Sequence, residues 1–378
     1  MSMYREGMKV LLVAGARPNF MKIAPIYRAA QGRKAVGVEI ECLIVHTGQH
    51  YDYAMSQAFF DDLELPAPDH FLEAGSGSHA EQTAKIMVAF EKVCKAEQPD
   101  LVLVVGDVNS TLACSIVAKK LEIKVAHVEA GLRSFDLSMP EEINRMVTDA
   151  ISDYFFVTET SGRDNLLREG KPESAVFMVG HVMIDNLFHQ VTRLRDCDPG
   201  GFSVAELKAA NPEYIFLTLH RPANVDDPEV LKGIVGCLNR IAEDYPIFFP
   251  VHPRTSKMLE KFDIELSERI FCLSPLGFRE SLYLWQDAVA VLTDSGGLQE
   301  ETTALGIPCL TLRENTERPV TVELGTNRLA GRQPEMIMAA YRELKDGLAE
   351  SRNLSCQVPL WDGRAAERIW EILGKTDV

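Results

Sequence analysis

Several polar residues fall at the ends of short apolar runs, the places where an α/β fold collects its chemistry. Thr293-Asp294-Ser295-Gly296-Gly297 closes the apolar run 289–292 and precedes a helix-like segment at 298–305. A strand, a Ser-Gly-Gly turn and a helix start point free backbone N–H groups and a helix dipole at one spot, which suits phosphate. The same turn also serves as an ordinary helix cap. Arg313, Glu317 and Arg318 follow in the next loop. A guanidinium fork gives two hydrogen bonds to one anion, so this loop strengthens the case for a diphosphate. His220 ends another apolar run, in Thr218-Leu219-His220-Arg221-Pro222, and is either a proton carrier at neutral pH or a satisfied loop histidine. His252, in Pro250-Val251-His252-Pro253-Arg254, repeats the pattern and reads as structural or supporting.

The acids lie mostly in the first half. Asp107 follows the run 101–105, where it is either a reactive carboxylate or a cap for the next helix. Glu129 sits among apolar and small residues in His127-Val128-Glu129-Ala130-Gly131, where a solvated face is not expected. A partly buried carboxylate there needs a partner or a raised pKa, and either suits general acid–base work. Arg133 is the partner that sequence proximity suggests. Glu141 and Glu142 follow Pro140 at a helix start, and Glu142 reads as an exposed acid complementing the dipole. Local positive charge for an anionic ligand comes from Arg17, Lys22, Arg254, and Arg313 with Arg318. No HExxH or Cys/His ligand spacing occurs, so no metal is expected. Gly15-Ala16-Arg17-Pro18-Asn19 is not GxGxxG, and no GxSxG elbow exists, which weakens a dinucleotide cofactor and a serine nucleophile.

These residues are positioned by alternating strand and helix patterns. Strands are expected at 9–14, 38–47, 101–105, 124–127, 154–157 and 176–179. Helices are expected at 20–31, from the capping box Ser78-His79-Ala80-Glu81 to about 96, at 112–121, and from Pro140. After Gly180-His181 the pattern restarts with a helix at 182–194 and a polar stretch at 195–211. Strands at 214–219, 247–251, 270–273, 289–292 and 309–312 follow, with helices at 228–245, 277–286 and 363–373. Short apolar strands alternating with helices imply parallel sheets covered on both faces, with ligands outside the carboxyl ends of the strands.

The chain of 378 residues has room for two domains, and 46% apolar with 25% charged residues is the make-up of a globular protein. A formal charge of −16 argues against nucleic acid or an anionic membrane as partner. No run of eighteen apolar residues is present, and 8–14 is too short for a leader and reads as a first strand. Eight scattered cysteines without CxxC suit reduced thiols in the cytosol.

Five motifs in order then carry a resemblance. They are Gly15-Ala16-Arg17-Pro18 with Lys22, His127-Val128-Glu129-Ala130-Gly131-Leu132-Arg133, Pro140-Glu141-Glu142-Ile143-Asn144-Arg145, Asp294-Ser295-Gly296-Gly297 with Gln299-Glu300-Glu301, and Thr316-Glu317-Arg318-Pro319. Over nearly the whole chain this resembles the non-hydrolysing UDP-N-acetylglucosamine 2-epimerases. The resemblance implies a glycosyltransferase-B-like α/β fold, two Rossmann-like parallel-sheet domains facing a central cleft. An N-terminal domain would take residues 1–181 with 364–378, and a C-terminal UDP-binding domain residues 182–363. It implies a cytoplasmic homodimer without cofactor or metal, serving cell-surface polysaccharide biosynthesis. The implied reaction interconverts UDP-N-acetylglucosamine and UDP-N-acetylmannosamine by eliminating UDP to 2-acetamidoglucal and adding it back.

By the same resemblance Asp107, Glu129 and Glu141 are catalytic carboxylates and His220 is the catalytic histidine. Which carboxylate serves which face of C2 stays open. Arg17 and Lys22 would meet the diphosphate or sugar. Ser295, Gly296, Gly297, Glu301 and Arg318 would hold the nucleotide, with Glu301 on the ribose hydroxyls. Bacterial members commonly have Gly-His-Arg-Arg-Glu where this chain has Leu219-His220-Arg221-Pro222-Ala223. Activation by a second substrate molecule, bound in such members beside the region matching Gln49-His50 and Arg221, is therefore left open. Two alternatives stand beside the main reading. One is an epimerase of a UDP-2,3-diacetamido-uronic acid, resembled around His46-Thr47-Gly48-Gln49-His50 and Asn109-Ser110-Thr111; Thr316-Glu317-Arg318-Pro319 favours the simpler sugar. The other is a hydrolysing epimerase releasing N-acetylmannosamine and UDP.

Overall fold

The computed structural model describes residues 7–49, 60–351 and 356–376; positions 50–52, in the loop expected after the second strand, lie outside them. The chain divides into two compact units, Met1–Asn186 with Pro359–Val378, and Leu187–Val358.

In the first unit the strands are β1 (Met8–Ala14), β2 (Ile40–His46), β3 (His70–Phe71), β4 (Leu101–Val105), β5 (Lys124–Val128), β6 (Tyr154–Val157) and β7 (Val176–Met178). They form one parallel sheet in the order β3-β2-β1-β4-β5-β6-β7. All five residues of β4 are buried, as a strand covered on both faces requires. Alternation sorts its neighbours: Leu12, Leu101 and Leu103 pack with Phe20, Ile23 and Trp370 on one face. Leu11, Val102 and Val104 pack with Ile86, Phe90 and Cys114 on the other. The helix Ala365–Leu373 belongs to this unit. Trp370 Nε1 donates to the Ile26 carbonyl at 2.8 Å, and the Asp185 carboxylate accepts from the N–H groups of Ala365 and Ala366 at 3.0 and 2.7 Å.

The second unit holds β8 (Ile215–Thr218), β9 (Ile247–Pro250), β10 (Ile270–Leu273), β11 (Ala290–Thr293), β12 (Cys309–Thr311) and β13 (Asn327–Leu329), parallel in the order β10-β9-β8-β11-β12-β13. Both units are therefore Rossmann-like. Their strand order reverses between β1 and β4 in one and between β8 and β11 in the other, and such a reversal opens a crevice at the strands' carboxyl ends.

The capping box at Ser78 forms, with Ser78 Oγ accepting from Glu81 N and Glu81 Oε2 from Ser78 N. Other elements escape sequence reading. β3 and β13 have two and three residues, too few to show a period. The helices Thr160–Arg168, Pro253–Lys261 and Pro334–Ser351 were likewise not expected, and the polar stretch 195–211 contains the short helix Ala205–Ala210. The helix expected from 298 begins at Gly296, because two glycines of low helix propensity hide its first turn. Among the described residues no helix is long and apolar enough to cross a membrane.

Candidate functional site

In the first unit, the residues leaving β1, β4 and β5 form one cluster at the strand-order reversal. Gly15 is required by close approach, since a Cβ there would lie 2.0 Å from Ser110 Oγ. Asn19 Oδ1 accepts from the N–H groups of Gly15 and Ala16 at 3.3 and 3.0 Å, while its amide donates to the Val105 carbonyl at 3.1 Å. One side chain thus ties the turn after β1 to the end of β4. Gly106 has φ +66°, and a Cβ on it would lie 2.9 Å from Lys22 Nζ, so glycine supplies both the turn and room for a charge pair.

That pair is Lys22 and Glu129, Nζ to Oε2 at 2.5 Å, with side chains only 13% and 4% exposed. Glu129 itself has φ +68°, a left-handed conformation costing a residue with a Cβ about 1–2 kcal/mol. Its Oε1 is buried without a hydrogen bond among the described residues, and His181 Nδ1 stands 3.9 Å away. A buried carboxylate with one oxygen ion-paired and the other unsatisfied is stored strain of the kind found at reactive sites. The partner suggested by proximity, Arg133, instead pairs with Asp149 and Glu169 at 2.7 Å each. Two left-handed residues, Glu129 and Gly131, turn the chain between them, so nearness in sequence does not carry into space.

The N-cap position of the following helix is taken by Val108, one residue beyond Asp107. Its Oδ2 accepts from Arg145 Nε and Nη2 at 3.0 and 2.8 Å. Glu141 lies half-buried in the first turn of the helix Pro140–Ile151, and its carboxylate makes no hydrogen bond or ion pair among the described residues. Glu142, expected to be exposed, is 1% exposed and accepts from the N–H groups of Ser134 and Phe135 and from Arg145 Nη1. Burial pushes its pKa up, but these bonds hold it below the ordinary value. Arg17 is exposed at the start of the helix Arg17–Ala35, whereas Lys22 is taken by Glu129.

In the second unit the strand-order reversal holds a histidine and an open helix start. Asp294, fully buried after β11, accepts through Oδ2 from the N–H groups of His220 and Arg221 at 2.9 and 2.8 Å and from Asn224 Nδ2 at 3.2 Å. Burial works against its charge, but the His220 bond and these N–H groups keep its pKa below the usual value. His220 Nδ1 lies 2.9 Å from Asp294 Oδ1, an ion-pair distance that sets this edge of the ring against the acid and leaves Nε2 for other work. Ser295 begins the helix Gly296–Leu305 without a side-chain cap, and no bond among the described residues takes the N–H groups of Gly296 and Gly297. A Cβ on either glycine would meet nothing within 4 Å, which leaves the helix start open to a ligand.

A neutral network aims the next loop. Gln299, fully buried, donates to the Ser295 carbonyl at 3.1 Å and accepts from Thr316 Oγ1 at 2.6 Å and Asn327 Nδ2 at 3.1 Å. Thr316 Oγ1 in turn accepts from Arg318 N at 2.9 Å. Arg318 Nε meets Glu300 Oε1 at 2.5 Å. Arg313 does not stand open beside it: both its terminal nitrogens bond Glu317, at 2.8 and 2.7 Å, and that fork pulls the Glu317 pKa down to about 2. Glu301 is buried, and burial, helped by the charge of Glu300, pushes it up to about 8, so it holds its proton at neutral pH. His252 caps the helix Pro253–Lys261 through Nδ1, its ring 5.8 Å from that of His220.

Sequence reasoning missed Asn19, Asp294, Gln299 and the pair of His127 with Asp149. His127 Nδ1 meets Asp149 Oδ1 at 2.7 Å and Nε2 meets the Gly106 carbonyl at 2.9 Å, both side chains fully buried. A histidine inside the apolar strand 124–127 was the available signal, since a buried polar group must find partners.

With this geometry in view, the chain can be placed among known proteins. The profile of the family described as UDP-N-acetylglucosamine 2-epimerase matches residues 34–374. The UDP-N-acetylglucosamine 2-epimerase of Methanocaldococcus jannaschii is 42% identical over 97% of this chain and 99% of its own length. The UDP-2,3-diacetamido-2,3-dideoxy-D-glucuronate 2-epimerase of Pseudomonas aeruginosa is 39% identical over 97% of this chain and 100% of its own length. A crystal structure of the M. jannaschii epimerase in complex with UDP-GlcNAc and UDP superimposes with a TM-score of 0.80 at 43% identity, covering 97% of this chain and 99% of that one. Similarity of this extent, in sequence and in fold alike, places the chain in the UDP-N-acetylglucosamine 2-epimerase family.

Proposed function

We propose that the protein catalyses the reversible C2 epimerisation of UDP-N-acetylglucosamine to UDP-N-acetylmannosamine. The observation that carries the reading is the gathering of Asp107 and Glu129 at one strand-order reversal, in a chain 42% identical end to end to an epimerase of that name. UDP leaves C1 as the C2 proton is removed, giving 2-acetamidoglucal; UDP adds back as C2 is reprotonated on the other face. Inverting C2 needs proton donors and acceptors on both faces, and Asp107, Glu129 and Glu141 supply them. Glu129 is supported by its unsatisfied Oε1, and His220 by the nearby Asp294 carboxylate, 2.9 Å from Nδ1, which leaves Nε2 to act. Residues 1–181 with 364–378 carry the acids, and residues 182–363 hold UDP.

Ser295, Gly296, Gly297 and Arg318 bind the leaving diphosphate, through open N–H groups at a helix start and one guanidinium. Glu301, protonated at neutral pH, serves the ribose hydroxyls, and Arg17 and Lys22 contact the diphosphate or sugar. The reaction draws on no cofactor or metal. The enzyme works as a cytoplasmic homodimer, and its product suits cell-surface polysaccharide assembly. Exposed Val88, Ile143, Met146 and Val147, together with an open surface groove lined by Met87, Leu112 and Ile143 among polar residues such as His79 and Asn144, support a covering second copy.

Incubation with UDP-N-acetylglucosamine in deuterated water, followed by NMR, tests the reading. The expected result is UDP-N-acetylmannosamine as a minority product with deuterium at C2. Free N-acetylmannosamine accumulating with UDP would mean a hydrolysing enzyme. The P. aeruginosa relative favours one second reading, a UDP-2,3-diacetamido-uronate substrate. Turnover of that compound with none of UDP-N-acetylglucosamine would establish it instead.

A further inference from the structure

The helix Pro140–Ile151 carries Glu141 in its first turn and, just beyond, two side chains that reach back to Asp107. Asn144 Nδ2 donates to the Asp107 carbonyl at 2.8 Å. Arg145 Nε and Nη2 donate to Asp107 Oδ2 at 3.0 and 2.8 Å, and its Nη1 donates to Glu142 Oε2 at 2.5 Å. The main chain and the side chain of Asp107 are thus both fixed to the element that bears Glu141. Glu142, in turn, is buried and holds the N–H groups of Ser134 and Phe135, which anchors the loop before the helix.

All three nitrogens of the guanidinium have carboxylate acceptors within the protein, and the side chain is only 14% exposed. Arg145 is therefore not presented to an incoming diphosphate. Its planar fork fixes the Asp107 carboxylate in direction as well as in charge, which a lysine ammonium does not do.

We propose that Arg145 is a positioning residue that holds the Asp107 carboxylate in one orientation and at a fixed offset from Glu141, so that one helix delivers two of the three acids as a unit. The proposal rests on the reading above that Asp107 takes part in proton transfer. It goes further by assigning a role to the last residue of the Pro140-Glu141-Glu142-Ile143-Asn144-Arg145 motif and a reason for the burial of Glu142.

The test compares Arg145→Ala and Arg145→Lys with the unaltered full chain in steady-state turnover of UDP-N-acetylglucosamine, UDP binding by calorimetry, and thermal unfolding. Arg145→Ala is expected to lose about 100-fold in kcat, with KM and UDP affinity within about threefold. Arg145→Lys is expected to recover less than about tenfold of that loss. Guanidinium ion added at millimolar concentration is expected to restore part of the Arg145→Ala rate, where ammonium ion does not; a purely structural arginine would show no such rescue. A folded Arg145→Ala with unchanged kcat, or one whose loss lies in KM, overturns the proposal. Should Arg145→Ala fail to fold, Arg145→Lys decides, and an unchanged kcat in it overturns the proposal equally. An unaltered chain that turns over no UDP-N-acetylglucosamine removes the underlying reading and the proposal together; an active one with an indifferent Arg145 removes the proposal alone.

Discussion

The two units share a strand order and reverse it at equivalent places, yet they put opposite chemistry there. At the β1–β4 reversal two donors of the turn after β1 are used internally: Asn19 takes the N–H groups of Gly15 and Ala16, and Pro18 has none to give. What gathers there is carboxylate, held by cations from distant segments, Lys22 on the buried Glu129 and Arg145 on the part-exposed Asp107. At the β8–β11 reversal a single buried acid, Asp294, orients His220, while the helix start at Gly296 keeps its donors open. Neutral side chains, Gln299, Thr316 and Asn327, tie the neighbouring loop in place. The fold decides where a site can form. Whether that site repels or receives an anion is decided by what satisfies the first few N–H groups.

The contrast can be broken most severely at its charged pair. Lys22→Met leaves Glu129 buried without its cation, and stability should drop by about 3–5 kcal/mol, read by denaturant unfolding. Retained stability would mean that Glu129 is not held by that pair. Next comes the second unit's hub. Asp294→Asn should lower turnover about 100-fold and stability by about 2 kcal/mol, because His220 loses its orienting acceptor and two backbone N–H groups lose a charged one. Gly297→Ala should do the reverse of a core change. It stabilises the helix start by up to about 1 kcal/mol and weakens UDP binding about tenfold, measured by calorimetry. Unchanged UDP affinity would argue against this helix start as the phosphate site.

The smallest effect concerns pH. The Glu301 carboxyl has a folded pKa of about 8, above its ordinary 4.5, because burial, helped by Glu300, disfavours the charge. Between those values the folded chain keeps a proton that the unfolded chain has released, so this group costs progressively more stability as pH rises from 4.5 to 8. Glu301→Gln should therefore flatten the fall of melting temperature across that window. An identical slope in the variant would show that Glu301 does not titrate as described.

Much of this was legible from residue order. Apolar runs of four to seven residues broken by Gly and polar turns announce buried parallel strands, and every predicted site residue except Glu301 and Lys22 stands at such a break or at a helix start. Glu301 and Lys22 sit one turn into helices, where spacing says little about what they face. The expectation of Arg133 beside Glu129 failed because two left-handed residues separate them, and that of an exposed Glu142 because the 132–139 loop folds back over it. Arg313 and Glu317 were right as a charged loop, but their mutual fork could not be foreseen from a spacing of four outside a helix.

The sequence by itself determined the alternation of elements, the class of fold and the kinds of side chain at the strand ends. Those follow from local physics: period, turn chemistry and burial of apolar runs. Only the tertiary structure decided which charges meet. Lys22 and Glu129 lie 107 residues apart, and Asp107 and Arg145 lie 38 apart. Their pairing depends on the order and register of parallel strands, where a shift of one residue would send each side chain to the other face of the sheet.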